Sequence, residues 1–341
     1  EVDTVANSNG GEPMIPEQLY ASNLASCVGI TVSTTSVNIF GQTTTSAASG
    51  SGFVLTQDAI VTNYHVIEDA AKDSSVSIEV SFADGKQYTA KLVGGEQDND
   101  VAVLKIGFDL TPVKLGDSDQ LVVGEGVYTI GNPLGELTYS LTDGLVSALD
   151  RLITTTSTNP STGAAETTTL NVLQTNCDIN PGNPAALFNN HGEVIGIVSA
   201  KYSSASSSSS STSVEGLGFA IPMDDVADMV SQLVSNGYVS GQPILGVSVN
   251  RNEISQEARH GVPAGAEILV VTPGLCGEEA GLQAGDIVTQ INDTTVSNGS
   301  DLINAVANYS PGDTVTSTVY RNGETLTLQV TLDESTPETE A

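Results

Sequence analysis

Tryptophan is absent from this chain and aromatic residues make up only 4% of it, so large planar side chains do not supply most of its core. Basic residues are nearly as scarce: ten Lys and Arg face 41 Asp and Glu, a formal net charge of −31. That balance removes the electrostatic footprint on which nucleic-acid binding rests and disfavours an anionic membrane surface. Cysteine is limited to Cys27, Cys177 and Cys276, with no CxxC pair. Three scattered thiols are not a disulfide framework; buried small hydrophobes are the expected role, with a Cys27 to Cys177 bond open in an oxidising compartment. No apolar run approaches the roughly 20 residues of a membrane-spanning helix. Neither a metal-ligand cluster nor a phosphate-binding glycine loop occurs, so no metal and no cofactor is expected. The chain begins at Glu1 rather than Met, which is compatible with removal of an upstream signal or anchor.

What is abundant is Gly, Ser, Thr and Val, spread over 341 residues, a length that suggests two or three domains rather than one core. Residues 1–19 have no periodicity and read as a flexible lead-in. From about residue 25 to 220, apolar runs of four to seven residues alternate with turn residues, the pattern of an all-β barrel or sandwich. Residues 223–234 then carry apolar side chains at helical spacing after Pro222. Two low-complexity stretches, 154–169 and 203–213, read as solvated surface loops. After Gly237 the texture changes, ending in two strands, 314–320 and 324–332, joined by an Asn322-Gly323 hairpin turn.

Thr62-Asn63-Tyr64-His65-Val66 and Asn99-Asp100-Val101-Ala102-Val103-Leu104 resemble the histidine and aspartate segments of trypsin-like proteases of the HtrA/Deg family. Downstream, Ile244-Leu245-Gly246-Val247-Ser248-Val249 and Ala280-Gly281-Leu282-Gln283-Ala284-Gly285-Asp286 resemble the carboxylate-binding loop and glycine turn of the PDZ domain that follows such proteases. The resemblance runs from about residue 20 to 333. It implies a mostly β chain: a trypsin-like double β-barrel over 20–236, a linker at 237–243, an α+β PDZ domain over 244–333 and an acidic tail at 334–341.

Such a protease needs a hydroxyl, an imidazole to take its proton and a buried carboxylate to orient the imidazole. The resemblance assigns the imidazole to His65 and the carboxylate to Asp100, with Asp98 the nearest competitor. Where it calls for Gly-Asn-Ser-Gly-Gly, residues 182–186 read Gly-Asn-Pro-Ala-Ala, one residue short before rejoining at Leu187-Phe188-Asn189. Pro184 thus occupies the nucleophile position. Proline has neither a hydroxyl to activate nor a backbone N–H, so the nucleophile and one of two oxyanion donors are both lost, leaving Gly182 as the remnant. Loss of one such donor alone lowers turnover by about two to three orders of magnitude. Cys177 lies too far from the loop to serve as a relocated nucleophile, and Ser199 is expected to pair with peptide through its backbone. Asp178 stands six residues before the nucleophile position, where a carboxylate would favour basic substrate side chains.

For the PDZ segment, the resemblance implies that Ile244, Leu245, Gly246 and Val247 hold a terminal carboxylate while Leu302, Ile303 and Val306 line the groove. The favoured expectation is a catalytically dead homologue that binds unfolded or C-terminal polypeptide segments in extracytoplasmic protein quality control, with the bacterial envelope as its setting. An active endopeptidase and a non-catalytic oligomeric scaffold are the alternatives. The family's habit implies a homo-oligomer, a trimer.

Overall fold

In a computed structural model of the chain, residues 12–37, 43–73, 75–131, 139–158, 165–179, 186–199, 217–249 and 263–336 are described. The serine tract at 203–213, the expected oxyanion and nucleophile positions Gly182 and Pro184, and the chain end from 337 lie outside them. Two compact units result: Glu1–Ile153 with Leu170–Gly237, and Tyr238–Ala341 with Thr154–Thr169.

The first unit opens with α1 (Pro16–Asn23), so the expected flexible lead-in gives way to structure before residue 19. Pro16 sits in the first helical turn, where its missing N–H is no loss, and Leu19 is fully buried. Met14 N–H also donates to Asn190 O at 2.8 Å, anchoring the segment ahead of the helix. Six strands follow, β1 (Cys27–Val37), β2 (Thr43–Val54), β3 (Ala59–Thr62), β4 (Ser77–Phe82), β5 (Gln87–Glu96) and β6 (Val101–Lys105), closing a barrel in the order β1-β2-β3-β6-β5-β4. Val28, Ile30 and Val32 alternate into its core beside Ile60, Val80 and Leu104, the period-two pattern that marks a strand with one face inside. Helix α2 (Tyr64–Lys72) follows β3 directly.

Seven more strands build the second half: β7 (Lys114–Leu115), β8 (Gly126–Gly131), β9 (Ser140–Thr158), β10 (Ala165–Thr175), β11 (Ala186–Asn189), β12 (Glu193–Val198) and β13 (Gly218–Pro222). Their order is β11-β8-β9-β10-β13-β12, a β11 to β12 pairing joins the ends, and β7 adds in parallel to β12. Residues 154–169 are therefore not simply a loop: β9 runs through Thr158 and β10 begins at Ala165. Threonine is β-branched, a residue type that suits a strand as well as a solvated loop, so composition alone does not separate the two. Helix α3 (Met223–Asn236) closes the unit, burying Met223, Val226, Val230 and Leu233 on one face. Asp224 and Asp225 complement the positive end of its dipole, and Gly237 ends it at φ 85° with its N–H on Leu233 O. Gly94 on β5 admits this end, since a Cβ there would stand 1.9 Å from Gly237 O.

The second unit comprises β14 (Pro243–Ile244), β15 (Val247–Val249), β16 (Ala266–Val271), α4 (Cys276–Glu279), β17 (Ile287–Ile291), β18 (Thr294–Thr295), α5 (Gly299–Val306), β19 (Thr314–Arg321), β20 (Glu324–Thr331) and β21 (Asp333–Glu334). The main sheet runs β15-β16-β17-β19-β20. Asn322 and Gly323 both take positive φ, 53° and 91°, as a two-residue hairpin between β19 and β20 requires. Arg321 grips Asp286 through Nε at 2.6 Å and a second nitrogen at 2.7 Å, and also donates to Gly281 O, fixing the glycine turn to β19. The expected linker and tail overlap in space: Pro243 pairs with Glu334 and Ile244 with Asp333, so both ends of this unit are ordered against each other. All three cysteines are buried free thiols, with no bond between Cys27 and Cys177. Among the described residues no helix is long and apolar enough to cross a membrane.

Candidate functional site

Asn63 stands at the N-cap of α2 and places His65 in the first turn, its side chain 37% exposed. Asp100 lies at the entry to β6 with φ 55°, a left-handed backbone that non-glycine residues adopt rarely. The preceding turn explains how that is held. Glu96 Oε2 accepts from Asn99 N at 2.7 Å and Asn99 Nδ2 at 2.8 Å, Oε1 accepts from Asp98 N at 3.3 Å, and Asp100 N donates to Gln97 O at 3.3 Å. Burial first, then the nearby Asp98, push the Glu96 carboxyl above its ordinary value.

The completely buried Asp100 carboxylate collects four donors. His65 Nδ1 lies 2.9 Å from both its oxygens, His65 N donates to Oδ1 at 2.9 Å, Ser199 Oγ donates to Oδ2 at 2.6 Å, and Asn63 Nδ2 donates to Oδ2 at 3.3 Å. Burial alone would raise this carboxyl's pKa; the His65 hydrogen bond and charge, the Ser199 hydroxyl and the His65 N–H outweigh it, leaving the value below the ordinary one. An ionised carboxylate only accepts, so the Nδ1 that faces it carries hydrogen and Nε2 is left as the basic ring nitrogen. The arrangement can orient an imidazole and stabilise it once protonated. Asp100, not Asp98, is the residue that meets His65.

Ser199 was expected to act through its backbone, but its hydroxyl is on Asp100 and its N–H donates to Phe219 O at 3.1 Å. The one signal in the sequence was a hydroxyl ending the apolar run Val194 to Val198; a buried hydroxyl needs a partner. Cys177 is 1% exposed, its Sγ 3.6 Å from Val127 O, and burial raises its thiol pKa, which removes it as a relocated nucleophile. Asp178 is exposed, just ahead of residues 180–185, which fall outside the description.

In the second unit, a cleft of about 430 Å³ is lined by all seven residues singled out in the sequence, Ile244, Leu245, Gly246, Val247, Leu302, Ile303 and Val306. Among the described residues Pro243, Ser248, Val249, Thr272, Leu275 and Ser335 also line it; Thr272, Leu275 and Ser335 are far from the loop in sequence, which hid them. Leu245, Leu302 and Val306 are at most 5% exposed and belong equally to the core, whereas Ile303 is 38% exposed. Gly246 turns the loop at φ 66° while its carbonyl accepts from Thr272 N at 2.9 Å. A Cβ on Gly246 would meet Leu275 Cβ at 2.7 Å, so both its φ and its closeness to α4 call for glycine. Strand β15 is the outer strand of its sheet beside this cleft, the geometry in which an extended peptide adds as a further strand.

The described residues include one grouping close enough to share a cation, Asp117, Asp119 and Asp224, all exposed. Asp224 Oδ2 already accepts from the Ser118 hydroxyl at 2.8 Å, a tie that caps α3.

Residues 50–197 match the trypsin-like peptidase domain family and residues 243–332 the PDZ domain family. Serine protease Do-like HtrA of Lactococcus lactis subsp. cremoris (strain MG1363) is 37% identical over 309 residues, 86% of this chain and 73% of that protein. A probable periplasmic serine endoprotease DegP-like of Halomonas elongata is 38% identical over 290 residues, 84% of this chain and 56% of that protein. Among solved structures, the HtrA-type protease AlgW with decapeptide is similar at a TM-score of 0.58 and 26% identity, covering 95% of this chain and 100% of that one.

Proposed function

The chain belongs to the HtrA/DegP family of trypsin-like serine proteases with a PDZ domain, and we propose on that premise that it is a member without proteolytic activity that binds unfolded segments or C-termini of polypeptides. The observation that carries the loss of activity is the sequence Gly-Asn-Pro-Ala-Ala at 182–186. A proton relay acts on a hydroxyl, and Pro184 supplies none; the same residue withdraws a backbone N–H from the oxyanion site whose other donor is Gly182.

Binding rests on the cleft beside β15, where a loop of main-chain N–H groups at Leu245, Gly246 and Val247 would take the terminal carboxylate and the strand edge would pair with the peptide backbone. Work outside the cytoplasm, at a bacterial envelope, is supported by the relative named periplasmic; a role there in protein quality control is what the family resemblance implies. Assembly into a homo-oligomer, a trimer, is supported by the family alone, and sedimentation of the full chain tests it.

A fluorophosphonate probe, which phosphonylates activated serines with loss of fluoride, tests the loss of activity. No labelling is expected of the chain as it stands. Replacing Pro184-Ala185 by Ser-Gly-Gly, which restores both the hydroxyl and the missing residue, is expected to bring labelling that His65→Ala abolishes. His65-dependent labelling of the unaltered chain would instead establish the second reading, an active endopeptidase, which the intact contact of His65, Asp100 and Ser199 favours.

A further inference from the structure

Among the described residues, the lining of the cleft in the second unit has no charged and no aromatic side chain. Its surroundings are strongly one-signed. Residues 238–341 hold 14 Asp and Glu against three Arg, and among the described residues of that span Arg321 is the sole basic side chain. Arg321 is committed to Asp286 and Gly281 O, so it offers nothing to a ligand. Carboxylates flank the lining residues in the chain: Asp333 is in register with Ile244 and Glu334 with Pro243, Asp301 precedes Leu302, and Glu278 lies within α4, whose Gly277 approaches Leu245 and Gly246. All four accept from backbone N–H groups, Asp333 from Cys276 at 2.6 Å, Glu334 from Gly241 at 2.7 Å, Glu278 from Gly274 at 2.9 Å and Asp301 from Ser297 at 2.9 Å. A backbone N–H carries no formal charge, so none of these bonds cancels the charge of the carboxylate it meets.

A peptide entering this cleft meets two different demands. Its terminal carboxylate would be received by main-chain N–H groups of the loop turned by Gly246, which needs no cation. Its side chains meet aliphatic walls near the end, with the carboxylates of Glu278, Asp301, Asp333 and Glu334 on the segments that carry those walls. We propose that the cleft selects polypeptide C-termini with an aliphatic last residue and basic side chains upstream, and rejects those with acidic ones. This rests on reading the cleft as a peptide site. Rim charges act mainly by steering encounter and excluding like-charged partners, so the discrimination is strongest at low salt.

Three peptides ending in a free Leu-Ala-Val and carrying two Lys, two Gln or two Glu a few residues upstream decide the matter by titration into the full chain. Expected affinities fall in the order Lys, Gln, Glu, by roughly two- to five-fold per charge at low salt. The differences are expected to vanish in 1 M NaCl, where the screening length is about 3 Å. Equal affinities at low salt, or a preference for Glu, overturn the charge preference while leaving peptide binding intact. Binding of none of the three at millimolar concentration overturns peptide binding itself. A double variant, Glu278→Gln with Glu334→Gln, is expected to narrow the gap between the Lys and Glu peptides; an unchanged gap places the discrimination elsewhere and overturns the assignment to this rim.

Discussion

Asp100 concentrates the chemistry of the first unit in one side chain. Its folded pKa lies below the ordinary carboxylate value, so its stabilising contribution is complete above the unfolded value near 4 and is lost as pH falls through the folded one. Urea denaturation from pH 7 to pH 3 should show Asp100→Asn less stable by about 1–3 kcal/mol at pH 7, with a shallower loss towards acid. Parallel acid limbs in the two proteins would dismiss Asp100 as a source of that slope. Ser199→Ala deletes a hydrogen bond to a charged acceptor and should lower stability by about 1.5–3 kcal/mol in the same assay. His65 and Asp100 were legible from sequence because each is embedded in a run that keeps its neighbours. Ser199 was not, since a serine closing an apolar strand looks alike whether its hydroxyl or its backbone matters.

At the scale of elements, alternation and turn residues marked most strands because one face of each is buried. The ends of β9 and β10 that fall within 154–169 escaped because Thr and Ser serve equally in a solvated loop and in a strand. Helix α1 escaped for a related reason: its apolar residues form no clear stripe, and a single buried leucine holds it. Contact between elements is testable at Gly94, whose added methyl would run into the carbonyl of Gly237 at the end of α3. Gly94→Ala should cost at least about 2 kcal/mol because strand and helix must part. Gly107→Ala, with nothing within 4 Å and no positive φ, should change stability by no more than about 0.5 kcal/mol. Equal unfolding midpoints for the two variants would deny the close approach of β5 to α3.

Across the whole molecule, a net charge of −31 means that the folded chain repels itself. Raising NaCl from 20 to 300 mM should therefore raise the thermal midpoint by about 2–4 °C, corresponding to roughly 1 kcal/mol. A midpoint that falls or stays fixed over that range would show that repulsion does not limit stability. The two-residue pairing of β14 with β21 has its own consequence at this scale. Ile244 and Ser335, from opposite ends of one unit, form part of a single cavity wall, so that wall exists only while the ends stay zipped. A nick between Leu332 and Asp333 would free Ser335 and unpair Ile244 without disturbing a residue of α5, and the peptide binding proposed above is expected to weaken in a domain whose main sheet still stands.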